Sequence, residues 1–382
     1  MNYKTIFLVM INLLLVAYIL YNFLSIRNQL TFNLNICKPD ISLKTEGFGF
    51  ITRSCSNELL NIMVSTPTLI TNCRQTQYSI NQYCIKSSYN SGFTGSCMNI
   101  DVIPYLLKRG VRFLDFGVYG TTIPMVANSS DISGNDSLYL QDVFNTIIQN
   151  AFNSTTSPNW NDPLFIQLRV YTSDNKLYNN IGSVIYNTLL NRLYVKTNAL
   201  NQSQAIQVNG NTKLSNILGK IIIVMDNSIF PTFSKYTICD NSNNTTNCYN
   251  LENFINIYSG TNQIITQTYG NIINQTTTPP VLHNNKSELN ICSGYNNGPL
   301  NLKMAVPDIT DAYLDLTVLF SFIKNYGVQI VLFSFYNSMS VEEYENIFEN
   351  GGSAFSLLST SIRYINNSSP NTISSVFPIN ES

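Results

Sequence analysis

One histidine, His283, and eight cysteines are the side chains from which imidazole, thiol or metal chemistry could be built in this chain. Their spacing builds little of it. Imidazole is the side chain whose ordinary titration falls near neutral pH, so proton-shuttling sites favour it. The single copy here sits in the polar stretch Pro279-Pro280-Val281-Leu282-His283-Asn284-Asn285 and reads as an exposed loop residue. No C-x-x-C pair occurs and His283 is the one histidine, so metal ligation is the weaker reading of the cysteines. The cysteines are Cys37, Cys55, Cys73, Cys84, Cys97, Cys239, Cys248 and Cys292. Their even number permits four disulfides whose connectivity the sequence does not give. Cys239 and Cys248, which flank a polar Asn/Thr loop, are the best pair. No G-x-G-x-x-G or P-loop is present to cradle a nucleotide.

The elements that would position any site are clearer. Residues 83–85 and 111–119 read as strands, 123–126 as a short apolar run, and 101–108 as a helix stopped by Gly110. In 140–152 the apolar residues Leu140, Val143, Phe144, Ile147, Ile148 and Ala151 form a stripe with helical spacing. Residues 164–170 read as a mostly buried strand, 177–193 as a helix, and 221–225 as a fully apolar strand of the kind covered on both faces. Residues 227–306 are polar and show no clear period. Order returns with a helix over 312–324 and a strand over 328–335. A helix through Phe348 comes next, opened by the capping pair Ser340 and Glu343, and a last strand covers 354–358. Strand and helix alternate, which implies parallel strands joined by crossover helices. A closed barrel and an open doubly wound sheet both satisfy this. A barrel would place its site at the C-terminal strand ends.

Composition limits the partners. The net charge of the 382-residue chain is −1, so no basic surface argues for nucleic acid. Charged residues are only 11% against 44% hydrophobic, the opposite of a disordered chain. Asparagine is about one residue in seven, so its clusters carry little functional weight. Residues 5–26 lack any charged side chain. That length suits a bilayer-spanning helix, for which about 20 residues suffice, and no small-x-small cleavage site comes after it. A single-pass anchor is expected, although Lys4 and the amino terminus compete with Arg27, Lys38 and Lys44 in setting its orientation. Sequons at Asn128, Asn153, Asn201, Asn244 and Asn274, among others, and the cysteines lean toward an extracellular or lumenal domain.

Several segments resemble one family in order. Tyr83-Cys84-Ile85-Lys86-Ser87-Ser88-Tyr89-Asn90-Ser91-Gly92-Phe93-Thr94-Gly95 resembles the opening of the X region of phosphatidylinositol-specific phospholipase C, which runs roughly Y-x-I-x-S-S-H-N-x-x-x-x-G. Gly110-Val111-Arg112-Phe113-Leu114-Asp115 resembles its G-x-R-x-x-[DE] strand. Leu140-Gln141-Asp142-Val143-Phe144 is similar to its F-x-D-V helix. Residues 163–169 are similar to its P-[VIL]-I-L-S-L-[EK] strand, and Gly219-Lys220-Ile221 to its G-K-I strand. Gly327-Val328-Gln329-Ile330-Val331 resembles the final barrel strand, and Phe348-Glu349-Asn350-Gly351-Gly352 its F-x-x-N-G-G continuation. The resemblance covers about residues 83–364 and implies a distorted (β/α)8 barrel of the PLC-like phosphodiesterase type.

The resemblance also implies a chemistry. In the family, one histidine takes the proton from the inositol 2-hydroxyl that attacks phosphorus, and a second protonates the departing diacylglycerol oxygen. Here Tyr89 stands at the first position and Asn128 is the expected occupant of the second. A phenol titrates near ~10 and an amide does not shuttle protons, while loss of one acid–base group typically lowers rate ~10²–10⁴-fold. Calcium-dependent members hold the ion with an Asn, two acids and a Glu. Asn90 and Asp115 match, but Gly117 and Arg169 replace the other two, so Ca²⁺ is not expected. Arg169 could grip an anion through its bidentate fork or form a plain buried pair with Asp115. Arg112 reads as a packing or ion-pair residue, and Tyr89 as a ring filling a vacated pocket.

The expected organisation is an anchor at 1–27, a stalk and approach segment at 28–76, the PLC-like barrel at 77–366 and a polar tail at 367–382. The expected protein is a membrane-anchored pseudoenzyme acting as a binding or structural surface protein, with Asn90, Asp115 and Arg169 facing a phosphoinositide or other anionic ligand. The alternative is an active phosphoric diester hydrolase built on Asp115, Arg169 and Tyr89.

Overall fold

The computed structural model describes residues 55–63, 70–132, 136–197, 203–233, 249–273, 301–308, 316–336 and 341–368. The chain is an α/β protein in which twelve strands form one mostly parallel sheet. Its parallel members are β1 (Tyr83–Ile85) with its continuation β2 (Ser87–Ser88), and β3 (Phe113–Tyr119). The antiparallel strands β4 (Met125–Ala127) and β5 (Ser137–Tyr139) extend the sheet from β3. Next come β6 (Leu164–Val170), a separate hairpin of β7 (Val195–Thr197) with β8 (Ser203–Ala205), and β9 (Ile221–Asp226). The remaining strands are β10 (Ile257–Ser259), β11 (Ile264–Thr268), β12 (Leu302–Val306), β13 (Ile330–Val331) and the antiparallel β14 (Phe355–Leu357), which pairs with β1.

The parallel pairings run β2–β3–β6–β9–β10–β11–β12–β13. They then return to the starting run, through Ile85 opposite Ile330 and a bridge from Ser88 to Phe333. β6 is apolar on the face of Leu164, Ile166, Leu168 and Val170 and carries Gln167 and Arg169 on the other, whereas all of β9, Ile221–Asp226, is buried and only its last residue is charged.

The helices obey their apolar stripes. Leu140–Ala151 buries Leu140, Val143, Phe144, Ile147 and Ala151. Asn175–Leu189 buries Leu177, Tyr178, Ile181, Ile185 and Leu189, and its cap residue Asp174 accepts a 2.8 Å hydrogen bond from the Lys176 amide. Val102–Lys108 ends at Gly110, whose φ of +79° is open to glycine at no steric cost. The last helices are Leu316–Tyr326, Val341–Gly351 and Leu358–Ser368; Ser340 of the expected capping pair lies outside the described residues.

Several expectations change. The polar middle contains β10, β11 and β12. The approach segment contains the helix Cys55–Met63, whose Ile62 joins the core and whose Glu58 carboxylate accepts from the Thr94 hydroxyl at 2.8 Å and the Ser96 amide at 3.0 Å. Four disulfides are not formed, because Cys73 and Cys84 are buried free thiols. Burial pushes the Cys84 thiol up to about 12, so it stays protonated and inert. Cys239 and Cys248 lie outside the described residues. Among the described residues no helix is long and apolar enough to cross a membrane; segment 5–26 lies outside them.

Candidate functional site

The C-terminal ends of the parallel strands bring the expected residues together. Asp115 lies in β3 and Arg169 near the end of the neighbouring β6, where Asp115 pairs with Gln167 and Gly117 with Arg169. Alternation along a strand therefore turns Asp115 and Arg169 to the same face. Asp115 is fully buried and Arg169 is 12% exposed. They form a two-pronged pair: Arg169 Nε donates to Asp115 Oδ1 at 2.8 Å and Nη2 to Oδ2 at 2.9 Å.

Asn90 comes after β2 in a left-handed conformation, φ +44°, which asparagine tolerates better than other residues with a Cβ. That turn, closed by the Phe93 amide on the Asn90 carbonyl at 2.9 Å, aims both ends of Asn90 inward. Its amide donates to Asp115 Oδ2 at 3.1 Å, and its carboxamide oxygen accepts from Arg169 Nη2. Its Nδ2 donates to Asn128 Oδ1 at 2.5 Å, so the exposed Asn128, just beyond β4, joins the same constellation. Ser91 fixes the base: its hydroxyl accepts from the Asp115 amide at 2.9 Å, and its own amide donates to the Asp115 carbonyl at 2.8 Å.

Tyr89 lies with its ring 4.7 Å from the Arg169 guanidinium carbon, a cation–π contact. Its phenol oxygen is 3.5 Å from Nη1. Burial pushes the Tyr89 phenol up to about 12, against the opposing pull of Arg169. Arg169 shows the reverse balance. Burial alone would lower it, but the Asp115 carboxylate and the phenols of Tyr89 and Tyr171 hold it well above the ordinary arginine value. Asn90, Asp115, Asn128 and Arg169 are thus joined by hydrogen bonds, and Tyr89 meets them through its ring contact with Arg169. His283 lies outside the described residues.

Four further residues belong to the site and were not read from the sequence. Ser91 is one. Tyr171 accepts from Arg169 Nη1 at 2.9 Å and stacks on Tyr119, ring centroids 4.6 Å apart. The signal was its place two residues after Arg169, on the same side of an alternating strand. Tyr336, beyond β13, sits edge-on to Phe93, and burial raises its phenol. Asp226 ends the apolar β9; burial raises its carboxyl against the opposing hydrogen bonds from the Ser228 hydroxyl at 2.6 Å and amide at 2.8 Å. A lone acid closing an apolar strand was visible in the sequence.

The donor set does not fit a calcium ion. Both Asp115 oxygens and the Asn90 oxygen are taken by Arg169. At Gly117 a Cβ would stand 2.7 Å from the Ala127 carbonyl oxygen, so no acid fits there without a backbone shift. A cation placed against the guanidinium would be repelled.

Residues 76–226 match the family model described as phosphatidylinositol-specific phospholipase C, X domain. That span contains every site residue named above except Tyr336. No curated protein sequence matches the chain. Among solved structures, PLC21 of S. officinalis is similar over 74% of this chain and 37% of its own, with 13% identity and a TM-score of 0.51. PLC21 of L. pealei is similar over 75% and 37%, with 13% identity and a TM-score of 0.49. The phosphatidylinositol-specific phospholipase C of Listeria monocytogenes is similar over 74% and 98%, with 12% identity and a TM-score of 0.42. The chain therefore spans 37% of the length of the PLC21 proteins.

Proposed function

We propose, from the premise that this chain belongs to the PLC-like phosphodiesterase superfamily through residues 76–226, that it is a catalytically silent member displayed from a membrane as a binding or structural surface protein. The return of the parallel pairing to its starting run is read as the distorted (β/α)8 barrel of that superfamily. Segment 5–26 is the anchor, and the domain lies on the extracellular or lumenal side.

One observation carries the reading. The guanidinium of Arg169 has five N–H donors, and the protein's own oxygens meet all three of its nitrogens. Nε and Nη2 serve Asp115 and Asn90, and Nη1 serves Tyr171 and, at 3.5 Å, Tyr89. A phosphate that sought the same fork would have to displace these partners. Around it, a phenol held near 12 is a poor base at neutral pH, and Asn128 carries no titrating proton.

The test is turnover. The purified full-length chain is incubated with vesicles of phosphatidylinositol, with and without calcium, and released inositol phosphate is measured. No release above the blank is expected; cleavage at enzyme-like rates would overturn the proposal. The double substitution Tyr89→His with Asn128→His is expected to restore little, because Arg169 remains engaged.

A second reading is favoured by the convergence of Tyr89, Asp115 and Arg169 in one cluster: a phosphodiesterase with non-histidine chemistry. It requires a measurable rate that Asp115→Asn removes. On either reading the ligand class is an anion such as a phosphoinositide headgroup.

A further inference from the structure

Three sequons lie wholly within the described residues; Asn366-Asn367-Ser368 closes the helix Leu358–Ser368, and the other two lie on exposed turns whose geometry separates them. Asn153-Ser154-Thr155 comes just after the helix Leu140–Ala151. Asn153 is exposed, and its Oδ1 accepts from the Thr155 hydroxyl at 2.9 Å and from the Thr155 amide at 3.0 Å. This is an Asx turn, in which the side-chain oxygen stands in for a backbone carbonyl. It places the hydroxyl of the sequon threonine on the carboxamide oxygen, where it polarises the amide. Among the described residues, Asn153 Nδ2 has no partner.

Asn128-Ser129-Ser130 is built differently. Its Oδ1 is taken by Asn90 Nδ2 at 2.5 Å, from a residue 38 positions away. Its middle serine turns to Asp131, with the Asp131 amide 3.3 Å from Ser129 Oγ. No hydroxyl of its own sequon reaches the Asn128 carboxamide.

We propose that Asn153 is an N-glycosylation site and that Asn128 is left unmodified. The proposal rests on the lumenal placement of the domain given above. Nδ2 of Asn153 attacks the anomeric carbon of a polyprenyl-pyrophosphate-linked oligosaccharide. The N–C bond forms as the C–O bond to pyrophosphate breaks. The lipid pyrophosphate leaves with the electron pair, and one amide proton passes to the base of the transferase.

The turn at Asn153 is local. Besides the two bonds from Thr155, the Thr156 and Ser157 amides donate to the Asn153 carbonyl at 3.1 and 2.9 Å. A nascent chain can form it before the sheet closes. The constellation at Asn128 needs the folded domain, so that sequon meets the transferase without ordered geometry. Position agrees with this. Asn153 precedes the start of β6, whereas Arg169 lies near that strand's end. A glycan at Asn153 therefore leaves the Arg169 cluster uncovered, while one at Asn128 would stand over it.

The experiment is site mapping on the full chain made in eukaryotic cells with an intact secretory pathway. The membrane fraction is treated with peptide-N-glycosidase in ¹⁸O-water, and labelled aspartates are located by mass spectrometry. Label at position 153 is expected, with none at 128. Thr155→Ala should remove that label and one glycan's worth of gel mobility, while Asn128→Gln should change neither. Label at Asn244 or Asn274 with none at Asn153 overturns the site while the lumenal placement stands. No label anywhere overturns it as well, and protease protection of sealed vesicles then shows whether the lumenal placement has failed with it.

Discussion

Two arginines at opposite ends of the same strand region are held in opposite ways. Arg112, just before β3, is fully buried, and its donors are shared between backbone and side chains: the Ala151 carbonyl at 3.0 Å and the Asn159 carbonyl, and the Ser157 and Asn159 side-chain oxygens at 2.6 and 2.9 Å. Arg169, beside the far half of β3, gives its donors only to side chains. Burial lowers Arg112 to about 10, and Asp162, which opposes this, does not outweigh it. Arg169 moves the other way because Asp115 lies at hydrogen-bond distance. The difference separates two jobs. Carbonyl partners tie loops and a helix end to the sheet, a role that serves folding. A ring of side-chain partners around a carboxylate–guanidinium pair has no such backbone to hold, and it lies toward the C-terminal ends of β3 and β6.

The largest effect should come from leaving one charge of the Asp115–Arg169 pair alone. Arg169→Met strands Asp115, fully buried, without its counter-ion, and breaking a buried pair this way typically costs about 3–5 kcal/mol. Denaturant unfolding measures it. The double variant Arg169→Met with Asp115→Leu should recover much of the loss, since replacing a whole buried pair by apolar groups is often near neutral. Equal losses in the single and double variants would mean that the pair is as much a folding element as Arg112, and the contrast would collapse.

Next in size is a pH effect at the Arg112 end. Burial pushes the Asp162 carboxyl from 3.8 to about 6, with the Cys73 amide at 2.8 Å and the Arg112 charge opposing. Its Oδ2 and the Arg112 Nε are both buried and without a hydrogen-bond partner among the described residues. The folded state therefore binds more protons than the unfolded state between those two values, and stability falls as pH rises through that window. The gap corresponds to about 3 kcal/mol at most. Asp162→Asn should flatten the slope between pH 4 and 6. A slope that survives the substitution would assign it to other groups.

How much of this could be read beforehand differs between the two regions. β6 was legible to the residue, and Leu140–Ala151 to one residue at its end, because long apolar periods dominate weak local preferences. β10 and β11 were not. Ile257–Ser259 is three residues long, and Ile264–Thr268 ends in Thr-Gln-Thr, so neither offers a period to detect. The helix Cys55–Met63 carries Glu58, a charge that reads as solvent-facing until Thr94 and Ser96 are seen to bury it. In the Arg169 cluster, Tyr89, Asn90, Asp115, Asn128 and Arg169 were named from motif order, and the structure brings them together. Tyr336 was not, because its contacts cross from β13 to the turn after β2, a pairing that no local pattern encodes.

The smallest expected effect is the most discriminating for chemistry. Tyr89 contributes two things to Arg169: a ring 4.7 Å from the guanidinium carbon and a phenol oxygen 3.5 Å from Nη1. The second is too long to count as a good hydrogen bond. Tyr89→Phe keeps the ring and removes the oxygen, so stability should change by less than about 0.5 kcal/mol. Tyr89→Leu removes the ring and should lose roughly 1 kcal/mol more, the size of a partly desolvated cation–π contact. The same pair decides the competing readings at once. With its phenol near 12, Tyr89 is protonated at neutral pH and is no base for a substrate hydroxyl. Any residual phosphodiester cleavage should therefore be the same in Tyr89→Phe as in the parent. A rate that vanishes with that single oxygen would make the phenol the proton carrier and the site an active one.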